Sequence, residues 1–215
     1  MKKMMFSDKY GLTQAVLEGK KTQTRRNFTL TLHEKTNNGE IMEQVYPDKV
    51  FYEDNTWKFS YKDKVYILPK ENLPKYNIGE VVAIAQSYQD IGINFIQCDL
   101  RAKHNHKWGH TCNMKGWANK MFVQAEVMPH QIKITNIRCE KLQDISEEDC
   151  LKEGIYKGQC GSADTHFMDA YYIPKYIQPY CTAKCAYSEL IDKINKKGTW
   201  DENNFVWVYD FELVK

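Results

Sequence analysis

No run in this chain approaches the ~18 consecutive apolar residues of a membrane span. The opening Met1-Lys2-Lys3-Met4-Met5-Phe6 passes straight into Ser7-Asp8-Lys9 without the apolar stretch of a secretory signal. A soluble, cytoplasmic protein with no membrane partner is the expectation. Charge of one sign is scarce as well: 30 Lys and Arg stand against 28 Asp and Glu, a formal net charge of +2. A chain that tracks nucleic-acid backbone over a long path carries more positive charge, so any nucleic-acid contact should be confined to a pocket or patch. Paired Cys-x-x-Cys knuckles are missing. The seven cysteines (Cys98, Cys112, Cys139, Cys150, Cys160, Cys181, Cys185) are odd in number and irregular in spacing, which reads as free thiols before disulfides. Internal repeats and low-complexity linkers are also absent, so the 215 residues are read as a single domain.

What is present is ordinary globular material, 42% hydrophobic and 27% charged. The fourteen Tyr supply either stacking surfaces for a ligand or filling for a core. Ser7 to Gly19 predicts a helix capped by Ser7 or Asp8, with Leu12, Ala15 and Val16 as its apolar stripe. Lys20 to Arg26 reads as a basic extended arm leaving that helix. Residues 28–76, alternating from Lys49 to Leu68, suggest a hairpin or two, and Val81 to Ala85 a buried strand by its β-branched run. Met121 to Val127 and Gln131 to Arg138 both alternate and predict strands joined at Pro129. Ser146 is the natural cap of a short helix ended by Gly154. Tyr187 to Lys196 predicts a helix with Leu190, Ile191 and Ile194 inward, and Phe205 to Val214 a closing strand. The order argues an α+β fold built on a small β-barrel with flanking helices. Loop-rich insertions fall near 28–74, 89–118 and 156–186.

Four stretches resemble the ASCH domain, a PUA-like fold, in its larger phage and bacterial versions. They are Leu17 to Arg26 with its Gly-x-Lys-Thr-x-Thr-x-Arg run, Tyr76 to Val81, Ile134 through Asp144-Ile145-Ser146-Glu147-Glu148-Asp149 to Ile155, and Trp200 to Phe211. The resemblance covers about half the chain, with the insertions outside it. It implies binding of RNA or nucleosides; some small members are amidohydrolases that deacetylate N4-acetylcytidine. Carried over by motif, the catalytic groups fall on Lys21, Thr24 and Glu153, with Arg26 beside them. Where the larger versions show an Arg-Glu pair, this chain has Ala85-Gln86; where they show Arg after Met-Pro, it has His130 and Lys133.

The residues by themselves suit acyl transfer. A Thr hydroxyl needs a base to become a nucleophile. A desolvated Lys, its pKa lowered, is such a base. A carboxylate orients the Lys or protonates the leaving amine, and Arg26 or backbone N–H groups hold the oxyanion. No cofactor is expected. Period-two alternation puts Thr22, Thr24 and Arg26 on one face and Lys21, Gln23 and Arg25 on the other, so a Lys21–Thr24 pair requires a turn near Thr22. A plainer reading makes Lys20 to Arg26 a solvated basic arm and Glu153 a helix-surface residue. A binding-only reading has Lys21, Thr22, Arg25, Arg26, Lys133 and Arg138 contacting single-stranded RNA or a nucleoside while Tyr88 or Trp117 stacks on a base; packing is the alternative for both rings. A third reading makes the insertions a protein-docking surface. Two Cys/His groupings offer zinc-type ligands: Cys98, His104, His106, His110 and Cys112, and Cys160, His166, Cys181 and Cys185. Free thiols and surface histidines are the default, and the oligomeric state is open.

Overall fold

The computed structural model describes residues 1–36, 39–91, 115–162 and 166–214. Its centre is a five-stranded sheet in the order β1-β8-β9-β12-β2. The members are β1 (Lys3–Met4), β2 (Gln23–Asn27), β8 (Val81–Ile84), β9 (Gln131–Lys141) and β12 (Phe205–Val214). Only β1 and β8 run parallel; the other pairs are antiparallel. The two edges, β1 and β2, do not pair, so no closed barrel is formed among the described residues. Among the described residues four helices accompany the sheet: α1 (Leu12–Leu17), α2 (Glu147–Lys152), α3 (Ala183–Ile194) and α4 (Thr199–Glu202). The fold is mixed α+β. Among the described residues, no helix is long and apolar enough to cross a membrane.

The expected alternation of β12 is real but hidden, because both of its faces are covered. Val206, Trp207, Val208 and Tyr209 are all buried. Trp207 meets Phe28 at 5.3 Å and Trp57 at 4.5 Å, and Tyr209 meets Tyr76 at 5.3 Å. Trp57 comes from the first insertion, which folds as the hairpin β3 (Leu30–Thr36) and β4 (Gly39–Val45) followed by the meander β5 (Lys49–Glu53), β6 (Thr56–Tyr61) and β7 (Lys64–Ile67). The region 156–186 is less loop-rich than expected. It holds the hairpin β10 (Tyr156–Cys160) and β11 (Met168–Tyr172), and α3 begins at Ala183, capped by the Thr182 hydroxyl. The insertion near 89–118 lies largely outside the described residues.

Two expected elements are corrected. The first helix starts at Leu12, not Ser7, because Gly11 adopts φ 64 and closes a turn onto Asp8. Asp8 serves elsewhere, pairing with Lys120 at 2.6 Å. Met121 to Val127 is no strand but two 3-10 turns, Lys120–Phe122 and Ala125–Val127. Its alternation reflects Val123, Ala125 and Met128 packing with Ala83 and Tyr88 in a small separate cluster. The short helix capped by Ser146 is as expected, with the hydroxyl accepting from the Asp149 N–H. Ile194, expected inward, is 37% exposed.

Gly154 ends α2 with φ +105, a conformation that L side chains rarely adopt. A Cβ there would also lie 3.3 Å from Leu12 Cδ2 and 3.6 Å from Lys21 Cδ. Gly154→Ala is therefore expected to lower stability by ~1–3 kcal/mol, read as a lower urea midpoint at unchanged slope.

Candidate functional site

The run Lys20 to Arg26 is not a solvated arm. Lys21, Gln23, Thr24 and Arg25 are all buried, and Gln23–Asn27 forms the edge strand β2. Antiparallel register places directly opposite residues on the same face. Arg25 faces Val208, which faces Arg138, and Gln23 faces Asp210. Gln23, Arg25, Asn136, Arg138, Glu140 and Asp210 thus share one face of the sheet, and α2 brings Asp149 and Glu153 to it.

A closed ring of ion pairs results. Arg25 reaches Glu140 Oε1 at 2.5 Å and Asp149 Oδ2 at 3.1 Å through Nη2, and Glu153 Oε1 at 3.2 Å through Nη1. Arg138 reaches Glu140 at 3.0 Å, Asp149 at 2.5 Å and Asp210 at 2.8 Å. Gln23 donates to Asp210 at 2.6 Å and accepts from Arg25, closing the ring. Lys21 joins through Glu153, donating to Oε2 at 2.5 Å and to the Glu153 backbone carbonyl at 2.7 Å. Burial pushes the Lys21 pKa below that of free lysine, against the opposing pull of Glu153. Burial also works against the Arg25 charge, but Glu153 and Glu140 outweigh it and hold the guanidinium protonated. Asp149 is likewise opposed by burial, yet Arg138, Arg25 and Lys152 keep its carboxyl below the usual range.

Beside this network lies a cavity of about 90 Å³. Lys21, Thr24, Arg26 and Glu153 all line it, as does Arg25. It follows the free edge of β2, between Met5-Phe6-Ser7 after β1 and Tyr187, Leu190 and Ile191 of α3. Arg26 braces the gap by donating to the Met5 carbonyl at 2.5 Å, and its guanidinium lies 5.8 Å from the Phe6 ring. Phe211 N–H bonds the Thr22 carbonyl, so the ladder to β12 uses residues 22, 24 and 26. The backbone N–H groups of Gln23, Arg25 and Asn27 turn toward the free edge.

The four candidate catalytic residues therefore border one hollow, but Lys21 and Thr24 do not hydrogen-bond one another. Thr24 lies opposite Tyr209, on the other face from Arg25, and Lys21 is held by Glu153. Thr22 is half-buried, its N–H on the Lys152 carbonyl. Other candidates go elsewhere. Arg25 and Arg138 are consumed by carboxylates rather than left for phosphate. Lys133 is an exposed residue 3.9 Å from Glu212. Tyr88 is buried in the small cluster with Ala83 and Met128, and Trp117 packs against that cluster; neither lines the cavity. Cys160, His166, Cys181 and Cys185 do not assemble a zinc site: no group of three His, Cys, Asp or Glu placed to hold an ion occurs among the described residues. The first Cys/His grouping lies outside them. Asp149, Glu140, Asp210 and Tyr187 were not singled out from sequence. Tyr187 sits three and four residues before Leu190 and Ile191, on the stripe that predicted the helix face, and Asp149 precedes Glu153 by one helical turn.

Comparisons with protein-family models, with curated proteins and with solved structures each return no match.

Removing Glu153 leaves two buried cations short of their anion. Glu153→Gln is expected to cost ~3–5 kcal/mol, with much of it regained when Lys21→Met is added, measured by chemical denaturation. Asp149, with its folded pKa depressed, contributes stability that is present above its unfolded pKa and lost as pH falls through the folded one. Asp149→Asn should flatten the acid side of the stability–pH curve below about pH 4, seen in urea midpoints taken from pH 2 to 6.

Proposed function

We propose that the chain is an ASCH-type, PUA-like protein whose cavity hydrolyses the amide of an acylated nucleobase or nucleoside of the N4-acetylcytidine kind. The observation that carries this reading is the convergence of Lys21, Thr24, Arg26 and Glu153, from two distant segments, on one hollow. At about 90 Å³ the hollow is smaller than the ~300–1,000 Å³ of sites that engulf drug-sized ligands. It suits a single ring or an acyl group, with a sugar left outside.

In this reading Lys21, once neutral, keeps an N–H on Glu153 and uses its lone pair to take the proton of Thr24 as the hydroxyl oxygen attacks the acyl carbon. The carbonyl oxygen becomes an oxyanion, facing Arg26 and the outward N–H of Arg25. The C–N bond then breaks, and the Lys21 ammonium returns the proton to the leaving amine. Water cleaves the Thr24 ester to release acetate and restore the hydroxyl. Glu153 positions Lys21 throughout. A second reading, a nucleoside-binding pocket without turnover, is favoured by one specific feature: the Lys21 ammonium already makes two bonds to Glu153 and none to Thr24.

Incubating the protein with N4-acetylcytidine and following cytidine by chromatography decides between them. Release that falls ~100-fold or more in Lys21→Ala and in Thr24→Val supports hydrolysis; binding without release supports the second reading. Because the deprotonated amine is the active form and burial lowers its pKa, kcat should rise with pH and level off below the pH at which free lysine titrates.

A further inference from the structure

Three buried side-chain polar atoms have no hydrogen-bond partner among the described residues, and two of them, the Tyr187 hydroxyl and Arg25 Nε, belong to residues that line this one cavity. The Arg25 guanidinium is otherwise well supplied with carboxylates. The Tyr187 hydroxyl has nothing. Glu153, an obvious acceptor on the same wall, has Oε2 engaged by Lys21 and Oε1 by Arg25. The ring makes a T-shaped pair with Trp200 at 6.2 Å and has the Arg25 guanidinium over it at 6.0 Å, and the residue is 1% exposed. On this stripe of α3 the companions lining the cavity are Leu190, Ile191 and Ile194. A phenylalanine would fill the same space without stranding a hydroxyl, and a stranded buried hydroxyl destabilises the empty protein.

We infer that Tyr187 is the specificity-determining residue of the cavity, its hydroxyl donating to the carbonyl oxygen of the acyl group on the bound nucleobase. This rests on the acylated-nucleobase reading and narrows it to ligands that present an acceptor oxygen toward α3. The group is suited to donate rather than accept. Its burial, and then the Glu153 carboxylate, raise its pKa well above that of free tyrosine, so it keeps its proton. A phenol oxygen, with a lone pair drawn into the ring, is the weaker acceptor. No proton is transferred: the hydrogen bond forms in the complex and shortens as the carbonyl oxygen gains charge. A site built around such a donor rejects an analogue without the acceptor, because the hydroxyl is then buried unpaired.

The test compares N4-acetylcytidine with N4-ethylcytidine, which has the same reach but no carbonyl oxygen. Calorimetric titration of the full chain in a Thr24→Val background, which keeps the side-chain shape and removes the nucleophile, should show ~10-fold tighter binding of the acetyl compound. Adding Tyr187→Phe should reduce that preference to ~2-fold or less by weakening the acetyl compound alone. The ligand-free Tyr187→Phe protein should melt at the parent temperature or above it, since no bond is lost. A preference that survives Tyr187→Phe, or a parent that binds both compounds equally, overturns the inference and leaves the acylated-nucleobase reading standing. A melting temperature lower by ~3 °C or more would mean that the hydroxyl serves the fold, and also overturns it. A parent that binds neither compound overturns the acylated-nucleobase reading itself, and this inference with it.

Discussion

One buried carboxylate holds two buried cations. Glu153 stands between Lys21 and Arg25, and neither cation is more than a few per cent exposed. Taking such charges out of water is expensive unless every partner is in place. The arrangement therefore constrains everything near it. α2 must sit on the sheet so that Glu153 points inward, which its Ser146 cap and the left-handed turn at Gly154 allow. Lys21 must approach the C-terminus of that helix, where its ammonium also satisfies the Glu153 carbonyl and meets the negative end of the peptide dipoles. Arg25 must lie on the same face of β2; Glu140 and Asp210 follow from the register of β9 and β12, and Asp149 comes with Glu153 from α2.

The cavity is a consequence of how the sheet fails to close. β1 is two residues long and β2 five, and the segments that lead between them are joined by a side chain, Arg26 on the Met5 carbonyl, instead of a ladder. An exposed strand edge invites pairing with another chain. Here side chains of α3, not another strand's backbone, line the cavity beside that edge. The outward N–H groups of β2 then face a hollow walled by Tyr187, Leu190 and Ile191. A polar backbone edge, a buried ammonium and an apolar helix face enclose one small space, and this combination favours a ligand that is flat, neutral and able to accept hydrogen bonds.

Much of this was legible in the sequence because local chemistry decided it. The Ser146 cap, the glycine stop at Gly154, the β-branched run at Val81 and the closing strand at Phe205 are each fixed by neighbours a few positions away. Period-two alternation also placed Gln23 with Arg25 and Thr24 with Arg26, and the register bears that out; Lys21 lies before β2 and meets Arg25 through their shared partner Glu153. What sequence could not supply was partnership across the fold. The basic arm became an edge strand with buried side chains because its cations find Glu140, Asp149 and Glu153 from residues more than a hundred positions distant. The alternation from Met121 to Val127 looked like a strand because packing on Ala83 and Tyr88 imposes the same apolar spacing without a ladder partner. Tyr187 marks only the start of the helix in the sequence; the company of Glu153 and Arg25 is what makes its hydroxyl conspicuous.

The distribution of charge also bears on which kind of ligand the site suits. Of the cations near β2, Arg25 and Arg138 are bound to several carboxylates each and Lys21 to Glu153, so their charge is spent inside the molecule. Arg26 keeps a backbone carbonyl and an aromatic face for company. With a formal net charge of +2 and its interior cations neutralised, the chain has little left beside the cavity with which to release counterions from a phosphate backbone. Affinity for a long nucleic acid grows with the number of such contacts, whereas recognition of one base needs a cleft with a few directed donors. In the reading proposed above, the few directed donors around the cavity suit a nucleoside or a single unpaired base better than an extended strand.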